Sequence, residues 1–599
     1  MQQVRNMLKK YFFTLTYFYS HLGYRIVIIF MISFLVGLMD GLGLTMFIPL
    51  LESVSGNETT HNSDQMGNLA FVTKAIEGLG FDLNLITVLA IMLFFFVFKG
   101  IFKFFEQYLN AIYRQYFISN LRIDSIRSLS NLDFEYFMNM DIGRIQNTIT
   151  GEVGRVVIGF NTYMLILQQM VLLIVYAILA LIANPEFAVL VTIGVFFTNI
   201  IFNKLYKITK KLSRKLTSFN HSLQSLIIQQ VAQFKYLKAT GKINVYAEKV
   251  IKEVRRIEQN QRKMGFISAI TSGLREPIIM LLVVLSIFIQ INLMGGNIGS
   301  IILSILFFYR ALSSIMQIQT SWNKYLELSG SFENLKTFIN ELKNHKGKTG
   351  NNTYQGLKKE ITLSNLSFSY GDRMVLKDIN LEIRKNQTIA LVGESGSGKT
   401  TLVNILTGLL RPKQGNYYID GVNITDLNNA QLQQHIGYIT QEPVIFNDTI
   451  YNNVTFWAEK NEYNLGKFYD VLRKADIYNF VNELSLKEDS ELGNNGINIS
   501  GGQKQRLSIA RELFKGAEII MLDEATSALD SQTERKIQES FEQLKGNYTL
   551  IIIAHRLSTI KNADRIVVLV NGEIQNIGTF DELIKESVVF NRMVEMQNL

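Results

Sequence analysis

Apolar residues fill the first part of the chain in long blocks. Near residue 342 they give way to short apolar runs set among polar positions. Six blocks approach the ~20 residues that a bilayer core requires: 24–51, 83–112, 159–183, 186–206, 266–291 and 299–325. The links between them are unequal. Asn184-Pro185-Glu186 and Met294-Gly295-Gly296-Asn297 are tight turns, whereas 113–158 and 207–265 are long, mostly polar and compatible with helix. Short links on one side and long ones on the other predict helices that continue far beyond the membrane on one face. Residues 1–23, with Lys9, Lys10, Tyr11, Phe12 and Phe13 and no small-residue cleavage site, read as an amphipathic helix on the inner surface.

The segment 342–358 is polar and Gly-containing, and reads as a linker. Beyond it, β-rich runs at 389–392, 519–522 and 550–554 alternate with helical stretches, the pattern of a soluble α/β domain over 359–599. The expected fold class is an all-α six-helix transmembrane domain (24–341) followed by an α/β P-loop ATPase domain.

Charge orients the first half. Residues 203–264 hold 15 Lys/Arg against 3 Asp/Glu, while 52–82 hold Lys74 alone against Glu52, Glu58, Asp64, Glu77 and Asp82. That asymmetry is the positive-inside pattern, so the net charge of +9 belongs to a membrane protein and not to a nucleic-acid partner. The chain has no cysteine, which excludes disulfides, Cys-ligated zinc, iron–sulfur clusters and thiol catalysis. Its five prolines leave room for uninterrupted helices.

The chemistry lies in the second half. Gly393-Glu394-Ser395-Gly396-Ser397-Gly398-Lys399-Thr400 follows the apolar run 388–392 and precedes the helix-like segment from Thr401 to Leu406. A glycine-rich turn between strand and helix aims backbone N–H groups and a helix N-terminus at phosphate oxygens. Lys399 then reaches the β- and γ-phosphates and Thr400 ligates Mg²⁺. Downstream, an apolar run ends in Asp523 and Glu524. Asp523 suits a Mg²⁺ role, and Glu524 suits polarisation of an attacking water.

Ile499-Ser500-Gly501-Gly502-Gln503-Lys504-Gln505-Arg506 resembles the signature of ATP-binding-cassette (ABC) proteins, and six spans ahead of it resemble an exporter half-transporter. The resemblance implies ATP and Mg²⁺ as cofactors and a second half-transporter, a homodimer, as partner. It implies that Tyr370 stacks on adenine and that Gln441 touches Mg²⁺ and senses the membrane domain. It implies that Ser500, Gly501, Gly502 and Gln503 close over the γ-phosphate bound by the other subunit. Asp530 falls in the loop that crosses the dimer, and His555 is the switch histidine. Thr401 completes the phosphate loop. The catalytic set is therefore Glu524, His555 and Gln441; the metal set is Thr400, Gln441 and Asp523. One departure is Gly493-Asn494, where exporters commonly carry an acid after the glycine. By the same resemblance, coupling segments fall at 141–146 and 239–244.

Ionisable residues inside spans are costly and point to function. Here they are Asp40, Lys99, Lys103, Arg275, Glu276 and Arg310. Arg310 lies ~17 Å below the outer end of its helix. Lys99, Lys103 and Arg275 are either cavity cations or chains that snorkel to the interface. A cationic cavity suits an anionic headgroup whose apolar tails stay in lipid. The first span and 235–242 are similar to those of bacterial lipid-linked oligosaccharide flippases. The expected activity is ATP-driven flipping of such a lipid at a bacterial inner membrane, with multidrug, lipid A or peptide export as the alternative.

Overall fold

The computed structural model describes residues 17–50 apart from 20 and 48, residues 84–294 apart from 184, and residues 298–523, 542–554 and 560–597, with isolated positions at 76, 78, 80, 535 and 539. The call on residues 1–23 thus falls mostly outside the described residues; 17–19 and 21–22 are helical. The chain divides into two compact units. The first is Met1–Leu132 with Asn139–Lys346, and the second is Gly347–Leu599 with Asp133–Met138.

Among its described residues the first unit is built of helices. Its long helices are Arg25–Thr45, Leu85–Ser130, Val153–Ala183, Pro185–Ala232, Ile243–Met294 and Ile298–Asn344. The polar links 113–158 and 207–265 prove to be largely continuations of these helices, so single helices reach 46 to 52 residues. Among the described residues, three helical stretches are long and apolar enough to cross a membrane: Arg25–Thr45, Leu85–Ser130 and Ile142–Ile182. Close packing has a sequence cause. Gly37 and Gly41 stand four residues apart on Arg25–Thr45, the small-xxx-small spacing that lets helix backbones approach. A Cβ on Gly41 would lie 2.3 Å from Leu179 Cδ1. A second close approach pins Ile298–Asn344 to Pro185–Ala232, where a Cβ on Gly330 would lie 2.8 Å from the Ser213 carbonyl oxygen. Between these contacts an aromatic core of Phe18, Phe117, Phe160 and Tyr163 is buried.

The second unit contains two sheets. One is antiparallel, in the order β2-β1-β4-β5, built from β1 (Glu360–Tyr370), β2 (Arg373–Arg384), β4 (Gln414–Ile419) and β5 (Val422–Asn423). The other runs β10-β9-β3-β8-β7-β6, from β3 (Thr388–Val392), β6 (Ile436–Ile439), β7 (Ile519–Asp523), β8 (Thr549–Ile553), β9 (Arg565–Val570) and β10 (Glu573–Gly578). Its central strands are parallel, and every residue of β3 and β8 is buried. That explains why these strands are continuous apolar runs without alternation: helices and the other sheet cover both faces.

The linker 342–358 is docked rather than loose. Leu357 N–H donates to Glu518 Oε2 at 2.8 Å, and Tyr354 N–H donates to Gln431 Oε1 at 3.0 Å. The first expected coupling segment, 141–146, falls on the short helix Ile142–Asn147 with its cap Asp141, and the second, 239–244, falls on the turn that ends the short helix Phe234–Ala239. Helix Ile142–Asn147 is wedged within the first unit, where a Cβ on Gly143 would lie 2.5 Å from the Ser225 Cα. Asp133–Met138 belongs to the second unit: Phe134 packs on that unit's core, and Lys413 Nζ meets Glu135 Oε2 at 2.7 Å. The short helix Phe234–Ala239 ends because Gly241, at φ +67°, turns the chain so that Lys242 N–H reaches the Leu237 carbonyl.

Candidate functional site

The C-terminal ends of β3, β8 and β7 form one edge of the parallel sheet, the place where open α/β sheets bind ligands. Leu391 pairs with Ile553, and Ile553 with Asp523, so the three lie level. Strand spacing of ~4.8 Å then sets Asp523 about 10 Å from β3 across β8.

The loop from Gly393 to Gly398 leaves β3 at this edge and enters the helix Lys399–Leu406. Its glycines are required by geometry. Gly398 caps the helix at φ +105°, and a Cβ there would lie 2.7 Å from Leu376 Cδ2. A Cβ on Gly393 would lie 2.3 Å from the Leu569 carbonyl oxygen. Glu394, Ser395 and Gly396 are exposed at the rim; Ser397 and Lys399 are buried beneath them. Lys399 Nζ donates to the carbonyls of Gly393 and Glu394 at 2.7 and 3.0 Å, which holds the ammonium across the loop. The Ser397 hydroxyl is buried with no hydrogen-bond partner, a polar atom that a phosphate oxygen in the loop would satisfy. Thr400 is exposed on the first helical turn and Thr401 is buried next to it. The loop thus fits a polyphosphate.

Asp523 has a partner that sequence reasoning missed. Tyr438, on neighbouring β6, is hydrogen-bonded to it. Burial, reinforced by this carboxylate, pushes the Tyr438 phenol up to about 12. The signal was available only as an aromatic two residues before the 440–443 loop. Gln441 stands exposed in that loop, two residues beyond β6. Among the described residues no group of three His, Asp or Glu side chains converges as a metal site. The Asp523 carboxylate, the Thr400 hydroxyl and the Gln441 amide are oxygen donors of the kind that suits Mg²⁺.

Tyr370 ends β1 at a hairpin, its ring edge-on to Phe368 with centroids 4.9 Å apart. The returning strand β2 brings Leu376 against Gly398, so the hairpin flanks the phosphate loop. Ser500 caps the 15-residue helix Gly501–Lys515 with a reciprocal box: its Oγ accepts from Gln503 N–H, and Gln503 Oε1 accepts from Ser500 N–H. That box leaves the first-turn N–H groups of Gly501 and Gly502 available to an anion. Ahead of it Asn494 is exposed where an acid was expected, and Lys504 Nζ donates to the Asn495 carbonyl at 2.6 Å. The calls on Glu524, Asp530 and His555 lie outside the described residues.

The first unit holds a second constellation, from four helices. Asp40 is 1% exposed. Lys99 Nζ meets its Oδ1 at 2.6 Å, Tyr176 donates its hydroxyl to Oδ2, and Arg310 Nε stands 3.9 Å from Oδ2. Two turns away, Glu106 is also 1% exposed; Lys103 Nζ meets it at 2.5 Å and Ser33 donates its hydroxyl to it. Three of the expected cations, Lys99, Lys103 and Arg310, are thus each set beside a buried carboxylate. Glu106 was overlooked because it sits where the apolar span turns polar. Arg275 lies in the helix Ile243–Met294, and its side chain lies outside what is described.

Residues 26–317 match the ABC transporter transmembrane region, and residues 376–527 match the ABC transporter ATPase family. An ATP-dependent lipid A-core flippase of Francisella tularensis is 29% identical over 510 residues, 83% of each chain. The same-named protein of Pasteurella multocida is 30% identical over 405 residues, 65% of this chain and 67% of that one. The heterocyst differentiation ATP-binding protein HepA of Nostoc is 29% identical over 479 residues, 78% of this chain and 77% of that one. A solved bacterial Atm1-family ABC exporter with ATP bound superimposes with a TM-score of 0.81 over 96% of this chain and all of that one, at 20% identity.

Proposed function

This chain belongs to the ABC transporter family, a membrane-embedded exporter whose ATPase domain is cytoplasmic, and from that premise we propose that it flips an anionic lipid-linked substrate across a bacterial inner membrane as a homodimer. ATP hydrolysis coupled to transport is the activity of this architecture.

In this reading the backbone N–H groups of the 393–398 loop and the Lys399 ammonium bind the β- and γ-phosphates. Thr400, Gln441 and Asp523 hold Mg²⁺, which supplies charge neutralisation on the phosphate oxygens when bound. Tyr438 holds Asp523 in place. Tyr370 stacks on the base. Glu524 orients the attacking water, and His555 contacts the γ-phosphate. Ser500 to Gln503 present a helix N-terminus to the nucleotide of the partner subunit, with Asp530 between the two. A single phosphate loop leaves one side of the γ-phosphate open; a second copy closes it, and hydrolysis reopens the joint.

The observation that carries the cargo class is the rung at Asp40, where two cations, Lys99 and Arg310, surround one carboxylate inside the membrane-spanning helices. Such a rung attracts an anion and repels a cation. The Francisella and Pasteurella relatives are named lipid A-core flippases, which favours a lipid as the cargo. Lipid mass spectrometry on the Glu524→Gln protein, with and without ATP, tests this. An enriched lipid-linked saccharide or lipid A that ATP displaces is the expected result. Bulk lipids unchanged by ATP would shift the cargo to a drug or peptide.

A further inference from the structure

The two charged rungs share one helix–helix seam. Lys99, Lys103 and Glu106 occur at i, i+4 and i+7 on Leu85–Ser130, one face of that helix. Ser33 and Asp40 lie seven residues apart on Arg25–Thr45, again one face. The rungs are therefore ~10 Å apart along the seam. In each rung the acid is the buried member and the cation is the reachable one. The side chains of Asp40 and Glu106 are 2% and 1% exposed, against 28% for Lys99, 39% for Lys103 and 42% for Arg310.

We infer that Asp40 and Glu106 are internal counter-anions that release the cargo: each holds its cation before a headgroup arrives and competes with the headgroup for it afterwards. The inference rests on the anionic-cargo reading above. A cation left alone among membrane helices is costly and would hold an anion too firmly to let it move on. Transport needs binding favourable enough to enter and weak enough to leave. A carboxylate behind the cation supplies that balance, because the cation always has a second partner. Arg310 is the most easily recruited, since its Nε stands beyond hydrogen-bond range of Asp40. When Arg310 turns to a headgroup, Tyr176 continues to donate to Oδ2, so the carboxylate is not left bare. Ser33 does the same for Glu106 in the other rung. Asp40 and Glu106 are thus positioning and release residues that act through Lys99, Arg310 and Lys103. They set a preference for headgroups that carry phosphate-like charge.

The consequence is that removing the acid tightens binding. The full chain is reconstituted in phosphatidylcholine nanodiscs, and its ATPase rate is followed against dodecyl phosphate, with dodecyl maltoside as the neutral comparison. For Asp40→Asn, half-saturation by dodecyl phosphate should fall about tenfold while the maximal rate also falls several-fold. Asp40→Glu should restore both, and the dodecyl maltoside response should not move. A half-saturation that is unchanged or raised in a variant melting like wild type overturns the inference. If Asp40→Asn does not fold, Glu106→Gln is read in the same way; if neither folds, the carboxylates serve structure alone and the inference is lost. A wild type that ignores dodecyl phosphate sinks the anionic-cargo reading itself. A wild type that responds beside an unshifted variant sinks only the release role.

Discussion

Two lysines in this protein, one buried and one half-buried, solve the same electrostatic problem in different ways. Lys399 is held by the carbonyl dipoles of Gly393 and Glu394, and Lys99 by the carboxylate of Asp40. Dipoles orient an ammonium without cancelling its charge, so the phosphate loop keeps a strong field aimed at one ligand. A carboxylate cancels most of that charge, so the membrane rung keeps a weak and exchangeable one. The difference matches two tasks. The nucleotide must be gripped through hydrolysis, whereas a cargo must be collected on one side and surrendered on the other.

The hydrolytic end of that contrast carries the largest expected effect. Glu524→Gln should lower ATP turnover by about 10²–10⁴-fold while nucleotide binding persists. Phosphate release and nucleotide affinity, measured on the same preparation, decide it; lost binding would mean that Glu524 shapes the site rather than the water.

Next comes Lys99→Ala, which leaves Asp40 buried beside an emptied partner position. Losing one member of a buried pair costs about 3–5 kcal/mol, so the full chain should melt several degrees lower. Asp40→Asn added to Lys99→Met should recover most of the loss. An unchanged melting temperature for Lys99→Ala would show that the carboxylate is solvated and would erase the contrast.

Lys399→Ala should behave in the opposite way. It removes charge-assisted bonds to phosphate and should weaken ATP binding roughly 10- to 100-fold, with a much smaller change in melting temperature. A collapse of stability comparable to that of Lys99→Ala would remove the distinction between the two lysines.

The smallest effect concerns Tyr438. Its phenol is raised from about 10 to about 12 in the folded protein, so the folded state keeps a proton that the unfolded chain releases first. That contribution is complete below about pH 10 and is lost as pH climbs through about 12. Tyr438→Phe should flatten this alkaline decline, visible in thermal melts between these values. An identical decline in the variant would assign it to other groups.

Much of the nucleotide site was legible along the chain, because its demands are local. A glycine is needed where Gly398 adopts φ +105° and where Gly393 nearly touches the Leu569 carbonyl, and an apolar run is needed for a strand covered on both faces. Such requirements are met by consecutive residues, so spacing reveals them. The long helices of the first unit follow from hydropathy and from the near absence of proline for the same reason.

Partners that are far apart in sequence emerged with the packing alone. Lys99 is 59 residues from Asp40 and Tyr176 is 136 residues from it, and Glu106 escaped notice until Ser33 and Lys103 stood around it. Tyr438 gained meaning only when β6 was laid beside β7. The segment Asp133–Met138 joined the second unit although its neighbours in sequence joined the first. The physical reason is common to all of these. Whether two side chains meet depends on the rotational phase, register and closeness of separate elements, and those are set by the packing of every residue between them. Local spacing marked where a charge is costly and where a phosphate loop forms; packing selected which acid neutralises which cation.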